Sequence, residues 1–235
     1  MKKSRIIALT SVFAALNIVC DAIAGLPQLS SGVWYGWIFI MEPLNGIVLG
    51  PLTGFVSTFL GVFVGHSIYV RGEAPIFEYI FTLGAPLGAM VSGLVYRKKW
   101  KMVLTYYVIL LAAYFLTPVT WHLPIWGIWN VLFAFFTVCI MYLLMSRFDK
   151  LQAESYILSI AAFIGLEADI LFRIFILVPC QTYRLFYGFS IETLQAIWTS
   201  AAFITPIQVL ISLIVTTIIS PRLLQITHNL NVQAP

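Results

Sequence analysis

Apolar stretches about as long as a membrane span recur along the whole chain and leave little sequence between them. Eight runs can be distinguished: Ile6–Ala24, Val33–Leu49, Leu52–Tyr69, Ile76–Tyr96, Met102–Pro118, Ile125–Met145, Tyr156–Val178 and Ala196–Ile219. A helix needs about 20 predominantly apolar residues to cross the hydrocarbon core of a bilayer. The sequence therefore predicts an all-α, polytopic transmembrane bundle that occupies residues 1–235 as a single integral membrane domain.

The composition supports this class but leaves the number of crossings open. Hydrophobic residues make up 61% of the chain, and the mean hydropathy is +0.97. Val33–Leu49 and Met102–Pro118 are short for a complete span, so either of them is also consistent with a broken or re-entrant segment. We therefore expect six to eight membrane helices.

Basic residues gather in alternate connections between the apolar runs. One set of connections holds Lys2, Lys3, Arg5, Arg97, Lys98, Lys99, Lys101, Arg147, Lys150 and Arg222. The opposite set has only Arg71 and Arg184 as cations, beside Asp21, Glu73 and Glu192. Because loops rich in Lys and Arg stay on the cytoplasmic side, we expect both termini to be cytoplasmic. This asymmetry accounts for the net charge of +4 without a nucleic-acid partner.

The N-terminus has some features of a secretory signal, namely a basic start, an apolar stretch and the small residues around Ala22-Ile23-Ala24. Its apolar run is longer than a usual signal core, and Asp21 precedes the supposed cleavage site. We therefore expect a retained first helix. A disulfide between Cys20 and Cys180 on the outer side is open but not favoured, since the chain has three cysteines.

Motifs of catalytic and metal chemistry are absent from the sequence. It contains no G-x-x-x-x-G-K-[ST] phosphate loop, no G-x-S-x-G elbow and no H-E-x-x-H pair. His66, His122 and His228 are scattered without ligand spacing. We therefore expect a protein that is not an enzyme and that has no cofactor and no metal site. If it transports a solute, a partner or an ion gradient must supply the energy.

Three charged residues lie inside the apolar run Tyr156–Val178. They are Glu167, Asp169 and Arg173. A charge at the centre of a membrane helix costs about 2.5–3.5 kcal/mol on insertion scales, so such residues usually pair inside a bundle or line a wet cavity. Asp169 and Arg173 are four residues apart and partly neutralise each other on one helix face. An ion pair that only fixes helix packing is the alternative; Glu167 points away from the pair and favours a substrate site.

Aromatic and polar residues near the outer ends of the runs suggest the walls of such a site. An aromatic belt at the membrane interface is the alternative for the tryptophans, although Trp129 and Asn130 lie deeper than a belt requires. Glu42 and Asn45 add an acid and an amide at membrane depth beside Pro43, which frees a backbone carbonyl. The predicted substrate-binding residues are Trp34, Glu42, Asn45, Trp126, Trp129, Asn130, Glu167, Asp169, Arg173 and Arg184.

These residue types suit a planar heterocyclic ligand. Arg173 would meet an anionic or carbonyl group, and Glu42 or Glu167 would accept hydrogen bonds from ring nitrogens. Trp126 or Trp129 would stack on the ring, and the segment around Arg184 would close over it. Flavins, pterins, thiamine-like compounds and nucleobases all fit this description.

Small residues mark places where helices approach closely. Two small-x-x-x-small pairs lie on the first helix, Thr10 with Ala14 and Ser11 with Ala15, and form a candidate partner-docking face; packing against a helix of the same chain is the alternative. Gly50-Pro51 predicts a tight turn between two antiparallel helices. Two glycine sets that favour close crossings follow, Gly54, Gly61 and Gly65, then Gly84, Gly88 and Gly93.

The basic N-terminus, the small-residue face, the Gly-Pro turn and the glycine-rich fourth run ending in Tyr96-Arg97-Lys98-Lys99 occur in this order. In these features residues 5–100 resemble the substrate-binding S component of an energy-coupling factor (ECF) vitamin transporter. The resemblance implies a multi-pass protein of a prokaryotic plasma membrane that captures a small vitamin-like ligand from outside. It also implies a membrane coupling (T) subunit and two ABC ATPases as partners, with Ser11-x-x-x-Ala15 in place of the family's docking motif A-x-x-x-A.

The chain departs from this family in its length of apolar sequence, since S components typically have six membrane helices and the additional runs fall within Met102–Pro235. Two other classes stay open. A membrane-embedded enzyme acting on a lipid or isoprenoid substrate would use Glu167, Asp169 and His122 as acid, base or ligands. A cell-envelope scaffold protein would need no ligand at all.

Overall fold

The computed structural model describes residues 2–23, 36–69, 79–145 and 154–229, and within these ranges the chain is helical without a β-strand. The main helices are α1 (Lys2–Ala22), α2 (Ile38–Leu49), α3 (Pro51–Ile68), α4 (Gly84–Tyr96), α5 (Trp100–Leu116), α6 (Trp129–Met145), α7 (Glu154–Leu177) and α8 (Ile191–Asn229). Two 3-10 turns, Pro118–His122 and Ile125–Ile128, join α5 to α6, and a single helical turn, Thr182–Leu185, lies between α7 and α8. The all-α prediction is confirmed for these residues.

Five helical stretches of the described residues are long and apolar enough to cross a membrane. They are Ser4–Ala22, Pro51–Ile68, Tyr79–Tyr96, Ile125–Leu144 and Ile191–Asn229. Two further apolar helices are shorter, with 12 residues in α2 and 17 in α5. α7 has 24 residues but includes four charged residues, one of them at its first position. These helices fit a membrane protein, while the number of crossings and their orientation stay predictions.

The eight apolar runs of the sequence correspond one to one with α1–α8. The tight turn predicted at Gly50-Pro51 is present: Gly50 has a φ of 88°, and Pro51 is the first residue of α3. Glycine adopts this left-handed backbone without steric cost, and proline suits the first helical position because its missing N–H has no partner there. Consequently α3 returns directly alongside α2.

α7 is the central helix of the bundle. It contacts α2, α4, α5, α6 and α8. Two tyrosines of α5 fix it in place, because the hydroxyl of Tyr106 donates to the carbonyl of Ala168 at 2.8 Å and that of Tyr107 to Ile164 at 2.7 Å. The surrounding helices turn large apolar side chains outward, among them Leu16, Leu60, Phe133, Phe203 and Leu210. This arrangement places polar groups inside and an apolar surface outside, as a lipid environment requires.

Glycines bring the backbones of neighbouring helices into contact. A Cβ on Gly46 of α2 would overlap the carbonyl oxygen of Ala89 in α4. A Cβ on Gly54 of α3 would lie 2.7 Å from the carbonyl oxygen of Asn45. Because these contacts are with backbone atoms, a side chain cannot be accommodated by a change of rotamer. The glycine sets therefore determine how closely α2, α3 and α4 pack.

Gly46→Ala should destabilise the bundle, since the new methyl group forces α2 away from α4. Overpacking of this kind costs about 1–3 kcal/mol, so we expect a loss of this order in the free energy of unfolding in mixed detergent and SDS micelles. Gly188→Asn is the control, because Gly188 has a φ of 62° and nothing within 4 Å of an added Cβ, and asparagine tolerates that backbone. Equal stability of the two variants would contradict the close crossing.

Candidate functional site

A cavity of about 420 Å³ lies at one end of the bundle. Its lining includes residues where α1 and α3 end (Asp21 and His66), where α2 begins (Ile38), and where α7 ends and α8 begins (Leu177 and Thr193). The volume is within the range of 300–1,000 Å³ that is usual for small-molecule sites. The helix ends that meet here thus enclose a space large enough for a small ligand.

The basic residues lie at the other end of the same helices. Arg5 is near the start of α1, Arg97 follows the end of α4, and Arg222 is in the last turns of α8. The cavity is therefore at the end of the bundle opposite the positively charged residues.

The ion pair predicted on α7 is present and borders the cavity. Arg173 donates from Nε to Oδ1 of Asp169 at 2.6 Å and from Nη2 to Oδ2 at 3.0 Å. Gly84 of α4 gives the pair room, because a Cβ there would overlap Oδ1 of Asp169. The Asp169 side chain is 9% exposed, whereas 39% of the Arg173 side chain is accessible although it lies inside the bundle. Part of this accessible surface of Arg173 lines the cavity.

Glu42 lies behind this pair and does not border the cavity. It is fully buried, and neither carboxyl oxygen has a hydrogen-bond partner among the described residues. Its carboxyl faces that of Asp169, with Arg173 also within electrostatic range. Gly88 of α4 makes space for it, since a Cβ at that position would overlap Oε1 of Glu42. The structure thus joins Glu42 of α2 to the polar residues of α7.

Glu167 faces away from the ion pair, as the sequence predicts, and accepts hydrogen bonds from the side-chain amide of Asn130 in α6. Nδ2 of Asn130 donates to Oε1 and Oε2 of Glu167 at 3.1 and 2.9 Å, and it lies 3.0 Å from Oγ1 of Thr205. All three of these contacts involve Nδ2 of the Asn130 amide. The Oδ1 atom of Asn130 has no protein partner in the described ranges, and the side chain lines the cavity. Glu167 therefore positions Asn130, which presents an acceptor to the cavity.

Asn45 belongs to a different polar cluster, away from the cavity lining. Its amide exchanges hydrogen bonds with that of Asn17 in α1, at 2.8 and 3.3 Å, and its Nδ2 also donates to the carbonyl of Met41. The hydroxyl of Ser57 in α3 donates to Oδ1 of Asn45 at 3.4 Å. The predicted binding role of Asn45 is not supported by this position, because its polar atoms are used to join α1, α2 and α3.

The aromatic walls of the cavity differ from those that the sequence predicts. Trp126 and Trp129 are each 48% exposed and are not part of the lining. Trp126 packs near Phe203, and Trp129 donates to the carbonyl of Ala202 at 3.0 Å. Both side chains therefore lie at the surface of the bundle, against residues of α8. Their predicted stacking role is therefore not supported.

Other aromatic residues, which the sequence analysis did not assign, line the cavity instead. They are Phe39, Phe81, Tyr187, Phe189 and Trp198. Trp198 is fixed by a hydrogen bond from Nε1 to the hydroxyl of Tyr114 at 3.2 Å and by stacking on that ring at 6.4 Å. The position of Trp198 in the last apolar run gave no signal of this role.

A further predicted binding residue lies away from the cavity. Arg184 is exposed in the helical turn Thr182–Leu185 and does not border the cavity. Trp34 lies outside the described residues. His122, which the enzyme alternative would use, is exposed in the turn Pro118–His122 and is likewise not in the lining with Asp169.

A second side-chain pair at the cavity, between a histidine and an acid, was not predicted. Nδ1 of His66 lies 2.7 Å from Oδ2 of Asp21, and both residues are in the lining. The sequence gave only a weak signal, namely an acid and a histidine at helix ends on the same side of the bundle. Within the described ranges, no group of three or more His, Cys, Asp or Glu side chains is arranged to hold a metal ion. Cys20 and Cys180 are both free thiols.

The small-residue face of α1 is divided between the interior and the surface. Ala14 is buried against α3, where a Cβ on Gly61 would lie 3.0 Å from its carbonyl oxygen, and the carbonyl of Thr10 accepts from Ser57 at 3.2 Å. Thr10 and Ala14 thus pack within the chain. Ser11 and Ala15 are exposed, so only this pair of the four predicted docking residues is available to a partner.

The cavity combines three chemical features. Arg173 presents the unbonded Nη1 edge of its guanidinium, Asn130 and Gln208 present amide groups, and aromatic rings form the walls. Such a lining is able to hold a ring system and to orient it through a few polar contacts.

No protein-family model, no curated protein and no solved structure matches this chain. The resemblance to ECF S components therefore depends on the sequence motifs described above.

Asp169→Ala should destabilise the protein, because it leaves the guanidinium of Arg173 without its partner inside the bundle. Removing one member of a buried pair costs about 3–5 kcal/mol, and access of water to the cavity places the expected loss near the lower value. The free energy of unfolding in detergent measures it. The double variant Asp169→Ala/Arg173→Ala should recover part of the loss; additive losses would show that the two residues do not stabilise each other.

Proposed function

We propose that this chain is the substrate-binding membrane subunit of an ECF-type importer and captures a small, vitamin-like heterocyclic compound. The observation that carries the proposal is the cavity of about 420 Å³, which combines aromatic walls with the Asp169–Arg173 pair. Charged residues that served helix packing alone would not require an accessible guanidinium next to an open space.

The location of the cavity agrees with uptake from outside. Positively charged connections stay on the cytoplasmic side of a membrane. Since the cavity is at the end opposite Arg5, Arg97 and Arg222, it opens toward the outer face in the orientation that the sequence predicts. A ligand would enter from outside and lie between the start of α2, the end of α7 and the start of α8.

The sequence motifs indicate where the energy for transport would come from. The chain has no phosphate-binding loop of its own, so in this function ATP hydrolysis belongs to two partner ATPases, coupled through a membrane T subunit. Ser11 and Ala15, exposed on α1, are the residues through which the T subunit would approach the backbone closely. A prokaryotic plasma membrane is the location that this function implies.

Affinity purification of the tagged chain from its native host in mild detergent tests the proposal. Mass spectrometry would identify co-purifying proteins and any compound released on denaturation. We expect a membrane coupling subunit, ABC-type ATPases and a heterocyclic compound. Recovery of the chain without them, under conditions that keep a control transporter complex intact, would contradict the proposed function.

Arg173→Gln should reduce the amount of bound compound per mole of purified protein at least tenfold, because a charged hydrogen bond contributes about 1.5–3 kcal/mol. Glutamine keeps one donor for Asp169, so the variant should still accumulate as folded protein. Arg184→Gln is the matched control, since Arg184 is exposed away from the cavity. If Arg173→Gln retains the compound at the level of the control, Arg173 has no binding role.

Trp198→Ala should also release the compound, because it removes an aromatic wall of the cavity, whereas Trp126→Ala should not. Both substitutions delete an indole ring, but Trp198 is 4% exposed and Trp126 is 48% exposed on the outer surface. Quantification of the compound by mass spectrometry compares them. Loss in Trp126→Ala and retention in Trp198→Ala would reverse the assignment made from the structure.

A further inference from the structure

The carboxyl groups of Glu42 and Asp169 meet beside the cavity without enough positive charge to balance them. Glu42 has no hydrogen-bond partner among the described residues. Its Oε1 lies against Gly88 of α4 and Oδ1 of Asp169 lies against Gly84, one helical turn away, so the two carboxyl groups are within electrostatic range of each other. Asp169 bonds to Arg173 through both of its own oxygens. In this arrangement two acids share one guanidinium.

The helices around this pair provide no second permanent cation in the described part of the chain. α4 contributes Gly84 and Gly88. α5 contributes the phenols of Tyr106 and Tyr107, which lie within electrostatic range of Glu42. α8 has no ionisable side chain between Glu192 and Arg222, which are near its two ends.

The remaining titratable groups nearby are already bonded. Glu167 of α7 accepts two hydrogen bonds from Asn130. Asp21 of α1 lies within electrostatic range of Arg173 and is bonded to His66 of α3. Neither group supplies a donor to Glu42, so the charge imbalance belongs to Glu42 and Asp169.

Two problems remain, an excess negative charge and a Glu42 carboxyl without a hydrogen-bond donor, and a single proton resolves both. An unpaired ion inside a protein costs several kcal/mol, even after relaxation. When two carboxyl groups lie close together, one proton on Glu42 removes the excess charge and supplies the missing donor. The contact with Arg173 then keeps the remaining negative charge paired.

We propose that Glu42 holds a proton beside the carboxylate of Asp169, and that the cavity takes up a small carboxylate-bearing ring compound at Arg173 together with this proton. This inference rests on the proposed function for its ligand, but the proton site exists independently of it. The guanidinium binds Asp169 through Nε and Nη2, so its Nη1 remains as a charged donor for a carboxylate oxygen of the ligand.

The anion and the proton favour each other's binding at this site. A carboxylate at Arg173 brings a further negative charge next to Asp169, and the proton on Glu42 limits the net charge of the whole group to one negative charge instead of two. Binding of the anion therefore raises the affinity for the proton, and the reverse holds by linkage. If one proton is taken up with each anion, the Kd of the anion rises about tenfold per pH unit once the free protein has lost that proton.

Infrared difference spectroscopy of the full chain in detergent tests the proton site without any added compound. Glu42→Gln keeps the size of the side chain and supplies an amide donor to Asp169. Subtraction of its spectrum from that of the wild type should leave a carboxylic-acid carbonyl band that shifts in D₂O. Glu192→Gln, at an exposed position, is the control and should leave a carboxylate band. A carboxylate band for Glu42 as well would overturn the proton site, whether or not the protein binds a vitamin-like compound.

Matched pairs of probes test the selection for an anion: nicotinate with nicotinamide, and benzoate with benzamide. We expect the carboxylates to raise the Tm of the wild type more than their neutral partners, and more at pH 6 than at pH 8. Glu42→Gln should keep the stabilisation and lose its pH dependence. Equal shifts from both members of each pair, or no shift from any, would overturn anion selection; co-purification of a neutral compound with ATPases would do so too, while leaving the proposed function intact.

Discussion

The ion pair of Asp169 with Arg173 on α7 constrains how the other helices are arranged. Charged groups at this depth are tolerated only when protein or water, and not lipid, surrounds them. α7 meets this condition because α2, α4, α5, α6 and α8 pack around it. The outer helices then present large apolar side chains to the surroundings. The central position of α7 and the apolar surface of the bundle are thus two consequences of one electrostatic requirement.

Close packing and an open cavity both depend on residues without side chains. Gly46 lets α2 contact α4 through the backbone, and Gly84 and Gly88 give space to the carboxyl groups of Asp169 and Glu42. The same α4 helix therefore closes the bundle and accommodates its polar interior. The cavity borders the other side of the ion pair, near the ends of several helices. Aromatic side chains fill only part of the volume there. The proposed function uses this region, in which packing is incomplete.

The sequence predicted the elements of this fold because each has a local cause. The eight apolar runs became α1–α8, since length and hydrophobicity decide whether a segment is helical in such a protein. The turn at Gly50-Pro51 and the pair at Asp169 and Arg173 were also predictable, because both depend on residues no more than four positions apart. Contacts between distant segments had no such local signal. Asn45 bonds to Asn17, 28 positions away, and Glu167 bonds to Asn130 across 37 positions.

What the sequence alone determined is a helical chain of membrane type with an acid and a base paired within one apolar run. Only the tertiary structure decided which polar and aromatic groups face a common space. Trp126 and Trp129 are in the same chain region as Asn130, yet they point outward, while Trp198, almost seventy positions after Asn130, forms a wall of the cavity. The physical reason is that the direction of a side chain on a helix is set by the rotation of that helix against its neighbours. That rotation is fixed by packing among all of them, and no local stretch of sequence contains it.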